Sequence, residues 1–146
     1  MITAWALVRF THVIFAMAWV GGQLTLSLLL IPLLQRKLSP ELAASVRTSF
    51  GKTFGIYTLA LFLPLQVATG IALAMHAGVT WASLLQPGYG RTLLAKLVVF
   101  ALVLAISGVH GYLQGTGRKQ AARSLALASL IGSVVIVLLA VALASH

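Results

Sequence analysis

The chain has no cysteine and no aspartate, and its single acidic side chain is Glu41. Without cysteine there can be no disulfide, no iron–sulfur cluster and no thioether-linked haem. Without a second carboxylate there is no Ser-His-Asp triad, no carboxylate pair and no Asp-held magnesium. Charge is scarce overall, at 8 % of residues, where a soluble domain carries about a quarter. Whatever chemistry the protein performs falls to His, Lys, Arg, Met or a bound cofactor.

What is abundant is apolar surface, with 60 % of the 146 residues hydrophobic. A chain this short cannot hide so much in a water-soluble core. Four apolar segments, at about residues 4–34, 54–77, 92–113 and 122–145, each reach the ~20 residues that cross hydrocarbon. The first lacks the basic start of a signal peptide and runs well past the usual apolar length, so it reads as a span. The expectation is an all-α integral membrane four-helix bundle, one domain over residues 1–146, with the lipid bilayer as its first partner.

The net charge of +9 would suggest nucleic acid in a soluble protein, but here the positive charges concentrate in short connections. Arg36, Lys37, Arg47, Lys52, Arg118, Lys119 and Arg123, seven of the ten, fall at one membrane face. The connection at 78–90 has no Lys or Arg. Positive-inside then places both termini on the non-cytoplasmic side of a bacterial-type inner membrane, and nucleic acid is excluded as a partner. Ser39-Pro40-Glu41 reads as an N-cap, an N1 proline and an acidic first turn, opening a short interfacial helix in the first cytoplasmic loop. Trp5 and Trp81 fall at the outer boundary, Tyr57 and Tyr112 near the inner one. Pro64 should kink the second span. Gly21-Gly22, Gly70, Gly108, Gly111 and the alanine-rich fourth span should let helices approach closely.

Ionisable side chains in a span are costly, so their placement is informative. Arg9, His12, Ala16, Trp19 and Gln23 recur at intervals of three and four, as do Thr58, Phe62, Gln66, Thr69, Leu73 and His76. Thr92, Lys96, Phe100, Val103, Ser107, His110 and Gln114 do the same on the third span. Each set makes one helix face, expected to point inward. At 1.5 Å per residue, Arg9 lies roughly 8 Å and His12 roughly 12 Å below the outer boundary. Lys96 lies roughly 9 Å down, and Gln66 and Thr69 roughly 10–15 Å, so these residues share a layer. His76 is shallower, at the outer mouth, and His110 is at the inner boundary. The plain alternatives are that Arg9 and Lys96 snorkel, that His12 is a neutral packing residue bonded to Gln66 or Thr69, and that His76 and His110 are interfacial.

Two stretches carry a family likeness. Arg9 to Gly22, RFTHVIFAMAWVGG, resembles the first helix of the CopD (copper-resistance D) membrane family and of the related HemJ-type protoporphyrinogen oxidases. There too a basic residue is followed by His, Trp and a small-residue pair. Pro87 to Leu97, PGYGRTLLAKL, resembles the CopD pattern of a Tyr-Gly step before a Leu-rich helix containing Lys. The resemblance implies that His12 corresponds to a histidine associated with haem b, and Lys96 to a lysine of the HemJ-type third helix. HemJ-type chains usually carry His two residues before that Lys, where this chain has Leu94, and an acid opening the second helix, which is lacking here.

Three readings follow. The leading one is a b-type haem protein with His12 as iron ligand, Arg9, Arg91 and Lys96 facing the propionates, and Gln66 and Trp19 lining the site. A HemJ-like oxidoreductase is its enzymatic form. The second is copper binding or transport, through His12, His76, Met17 and Met75, which Cu(I) favours but Arg9 and Lys96 would repel. The third is a structural accessory subunit, packed as a homo-oligomer or in a larger membrane complex.

Overall fold

The computed structural model describes residues 2–145, without the side chains at positions 115 and 119, and its long elements are all helical. The chain divides into two compact units, Met1–Gly78 and Val79–His146, and each contains two of the four helices long and apolar enough to cross a bilayer.

In the first unit, α1 (Ala4–Leu24) passes through a π-helical turn (Thr25–Leu30) into α2 (Ile31–Lys37). The chain reverses at Leu38-Ser39 and continues as α3 (Pro40–Tyr57), a second π-helical turn (Thr58–Phe62) and α4 (Leu63–His76). Thr3 caps the start of α1, its hydroxyl accepting from the Ala6 amide at 3.2 Å. Ser39 caps α3 as its sequence indicates, accepting from the Leu42 amide at 3.4 Å, with Pro40 and Glu41 in the first turn. The helix so opened is not a short element lying apart. It runs without a break into the second span, 37 residues from Pro40 to His76. No glycine–proline pair or charge cluster interrupts it, and the apolar run that follows Lys52 simply extends the helix.

Both π turns have the same cause. Pro32 and Pro64 stand second in the helical segments that follow them. A proline ring strikes the carbonyl four residues back in an α-helix. Those carbonyls, on Leu28 and Ala60, lie inside the two π turns, where the wider winding moves them away. Pro64 thus acts by widening the helix, and Pro32 does the same to the first.

The two long helices of this unit pack along α1 and α4. At Gly22 on α1 the Phe54 ring of α3 packs on the backbone, for a β-carbon there would overlap the ring. Phe54, Phe15 and Tyr57 surround Phe62 with ring centroids 5.9–6.5 Å away. Pairs of this kind contribute about 0.5–1.5 kcal/mol each beyond area burial. Trp19 and Val20, at 7 % and 6 % exposure, complete the core of the unit.

In the second unit, α5 (Tyr89–Gly115) and α6 (Lys119–Ala144) form a hairpin. Gly117, at φ +78°, takes the left-handed position that ends α5. The Gly117 amide bonds to Gln114 O at 3.4 Å and the Arg118 amide to Leu113 O at 3.1 Å, which is a Schellman closure. Between the helices, Val103 (2 % exposed) sits against Gly132, where a β-carbon would overlap it. Ser107 and Ser129 share a hydrogen bond at 2.8 Å, and Ser133 donates to Ser129 O at 2.9 Å. Small residues along such a seam let backbones approach and hydroxyls bond across it. Gly21, Gly108 and Gly111 have no described atom within 4 Å of a β-carbon position, so close approach rests on Gly22, Gly70 and Gly132 instead.

Many large apolar side chains face outward, among them Leu28, Leu59, Ile71, Leu138 and Val141. Exposed in such numbers on membrane-length helices, they suit acyl chains and not water. The protein is a multi-pass membrane protein.

Candidate functional site

The polar centre of the first unit is built on His12. Its position on α1 is set by the three- and four-residue spacing that puts His12 on the face turned to α4. Across from it, Gln66, Thr69 and Gly70 occupy one turn of α4. His12 Nδ1 lies 2.9 Å from Thr69 Oγ1, and His12 Nε2 lies 2.9 Å from Gln66 Nε2. His12, Gln66 and Thr69, placed in one layer from their sequence spacing, do meet.

The ring's tautomer follows from its neighbours. Thr69 uses its one hydroxyl proton to donate to the Leu65 carbonyl, so towards His12 it accepts. Nδ1 therefore carries a proton. On the other side, a carboxamide nitrogen donates and never accepts. Nε2 must then present its lone pair to Gln66. With the carboxamide nitrogen of Gln66 turned to the ring, both contacts are served by a neutral imidazole protonated at Nδ1.

Two further features bound the site. A β-carbon on Gly70 would lie 3.2 Å from His12 Cε1, so the glycine makes the room in which the ring stands. The Gln66 Oε1 atom is buried and has no hydrogen-bond partner. A buried side-chain carbonyl left this way is uncommon, since the large majority of buried polar side-chain atoms find a partner.

The remaining candidates lie elsewhere. Arg9, one turn before His12, is exposed. Trp19 is buried two turns beyond it. His76 stacks on Trp5, with ring centroids 3.8 Å apart and planes 10° from parallel. Since His12 is level with Gln66 to Gly70, His76 stands about 9 Å further along α4. Met17 and Met75 are 62 % and 73 % exposed and point away from this packing. Among the described residues, no group of three or more His or acidic side chains is placed to hold a metal ion.

Arg91 and Lys96 belong to the second unit. Arg91 is exposed and its Nε donates to Leu85 O at 3.1 Å, tying the start of α5 to the short 3-10 turn Ser83–Leu85. Gly90 is pressed against that turn, and a β-carbon there would overlap the Ser83 carbonyl. The Tyr89-Gly90 step is thus a packing requirement of the loop. Lys96 is half-buried on α5. His110 is not a surface residue of the interface. It donates from Nδ1 to the Ala122 carbonyl at 2.7 Å, joining α5 to α6.

Comparison with known proteins gives one informative match. The chain is 36 % identical over 101 residues to an uncharacterized protein of Aquifex aeolicus (strain VF5). The match takes in 69 % of this chain and 64 % of that protein, so it spans under two thirds of the relative's length. No family model matches the chain. No solved structure matches it either.

Sequence reasoning missed Gly70 as the floor of the histidine site. Its signal was present, since a glycine one residue after Thr69 on the polar face of α4 leaves a gap at that level. The sequence alone did not say which residue would fill it.

Proposed function

We propose that the protein is a membrane b-type haem-binding protein in which His12 Nε2 would hold the iron. The observation that carries this reading is the hydrogen-bonded anchoring of His12 Nδ1 on Thr69. An imidazole that ligates through one nitrogen needs its other nitrogen protonated and anchored to an acceptor, which orients the ring and raises its basicity. The chain Nδ1–H to Thr69 to the Leu65 carbonyl supplies that anchor. The residues present fit the group in two respects: an imidazole anchored through Nδ1, and a glycine leaving room at its Cε1 edge.

Bound there, haem would supply one-electron redox chemistry. The residues of this chain hold and orient. Thr69 keeps the imidazole in its ligating tautomer, and Arg9, one turn away, offers a cation to a propionate. The basic connections at 35–53 and 114–121 support a topology with both termini outside the cytoplasm, in a plasma membrane of bacterial type. A copper site is less well supported, because His76 is engaged with Trp5 and the two methionines face away. The likeness of the first helix to HemJ-type proteins is in keeping with the haem reading, whereas the likeness to CopD implies copper handling.

The test is an absorption spectrum of detergent-purified protein from haem-replete cells, oxidised and then dithionite-reduced. A Soret band with sharp reduced α and β bands is expected, and both should vanish in His12→Ala. A featureless spectrum from the unaltered protein would overturn the proposal and leave the His12 cluster as a device for packing α1 on α4.

A further inference from the structure

The two hydrogen bonds of His12 are unequal in what holds them. Thr69 is tied down, its hydroxyl committed to the Leu65 carbonyl one turn back on the same helix. Gln66 is not. Its amide nitrogen donates to His12 Nε2, while its Oε1 is buried with no partner at all. The lone pair that Gln66 engages is the one a metal would need.

We infer that Gln66 is a latch on the ligating nitrogen of His12, which must swing aside before the imidazole can bind iron. This rests on the haem reading and adds to it a residue that regulates uptake. The physical case is a competition for one lone pair. In the closed state Nε2 accepts a proton-sharing contact from the carboxamide, so ligation must first break that bond. Opening sacrifices one neutral hydrogen bond and frees a side chain whose carbonyl is unsatisfied where it stands, so the closed arrangement is a shallow one. Glutamine has three side-chain torsions with which to leave, whereas Thr69 is fixed by β-branching and by its bond to Leu65. Anchor and latch thus divide between adjacent positions of one polar face. The first holds the ring, and the second covers its reactive nitrogen.

A neutral hydrogen bond that must be broken lowers affinity by roughly 3- to 10-fold. Gln66→Leu removes the donor and leaves a shorter, branched apolar side chain in its place. Titrating haem-depleted protein in detergent with hemin, followed at the Soret band, should show Gln66→Leu binding roughly 3- to 10-fold more tightly than the unaltered chain. Gln66→Asn, too short to reach the ring, should behave like Gln66→Leu. A second readout needs no haem: in protein labelled with 15N-histidine, the His12 Nε2 resonance should be that of an unprotonated, hydrogen-bonded nitrogen, and should move downfield in Gln66→Leu.

Equal or weaker hemin binding by both variants, with His12 still required, would overturn the latch while leaving the haem reading intact. So would an Nε2 resonance that Gln66→Leu does not move. Failure of all the proteins to bind hemin would instead overturn the haem reading, and the latch with it.

Discussion

At the scale of single residues, His12 owes its behaviour to a threonine. A buried histidine in a span can adopt either neutral tautomer, and a hydroxyl can serve either as donor or acceptor. Here the Leu65 carbonyl removes the ambiguity by taking the Thr69 proton. Thr69→Val keeps the shape and leaves Nδ1–H facing a methyl group. That change should destabilise the protein by on the order of 1–2 kcal/mol, whereas Thr69→Ser should be close to the unaltered chain. Helix content followed through a titration with denaturing detergent measures both. Equal stability of Thr69→Val and the parent would mean that the imidazole bond contributes nothing. The polar stripes on α1 and α4 were legible from spacing alone, because hydrophobic periodicity fixes which face a residue takes. The division of labour between Gln66 and Thr69 was not. It depends on which backbone carbonyl and which ring atom each side chain reaches, and those distances come from how deeply the two helices interlock.

At the scale of elements, proline and serine do what their local chemistry dictates. Ser39, Pro40 and Glu41 start a helix where expected, and Gly117 ends one. The extent of the helix beginning at Pro40 was misjudged because a cap signals only a start. Nothing in residues 40–57 stops a helix, so it continues into the span. In the second hairpin, small residues carry the packing. The Ser107–Ser129 bond, at 2.8 Å, crosses between α5 and α6 in an apolar surround. Hydrogen bonds between spans average only about 0.6 kcal/mol in double-mutant cycles. A cycle with Ser107→Ala and Ser129→Ala should therefore return a coupling of about that size, read from the stability of each variant. A coupling near zero would assign the seam's strength wholly to the fit of Val103 against Gly132. His110 shows the limit of depth arguments, since a residue near the boundary of a span can still turn inward and bond its hairpin partner.

At the scale of the whole molecule, the absence of cysteine is an experimental convenience. Single cysteines can be introduced without background. Ala44→Cys, in the segment carrying Arg47 and Lys52, should resist a membrane-impermeant maleimide applied to intact spheroplasts. Ala82→Cys, in the connection that has no Lys or Arg, should react. The reverse pattern would invert the topology that the positive charges imply. Ala4 to Lys37 would be about 51 Å long at 1.5 Å per residue, against roughly 30 Å of hydrocarbon. The first helix therefore tilts or extends past the membrane, with Arg36 and Lys37 at its end.

The sequence by itself determined the solvent, the number of spans and the polar face of the first three. These follow from composition and period, which are summed over many residues and survive local error. It also determined the start of the helix that Ser39, Pro40 and Glu41 open. Only the tertiary structure decided which polar groups meet: that His12 stands between Gln66 and Thr69 over Gly70, that His76 goes to Trp5, and that His110 goes to Ala122. The physical reason is range. Periodicity is a property of one helix, whereas a hydrogen bond depends on the rotation, depth and separation of two, to within a few tenths of an ångström.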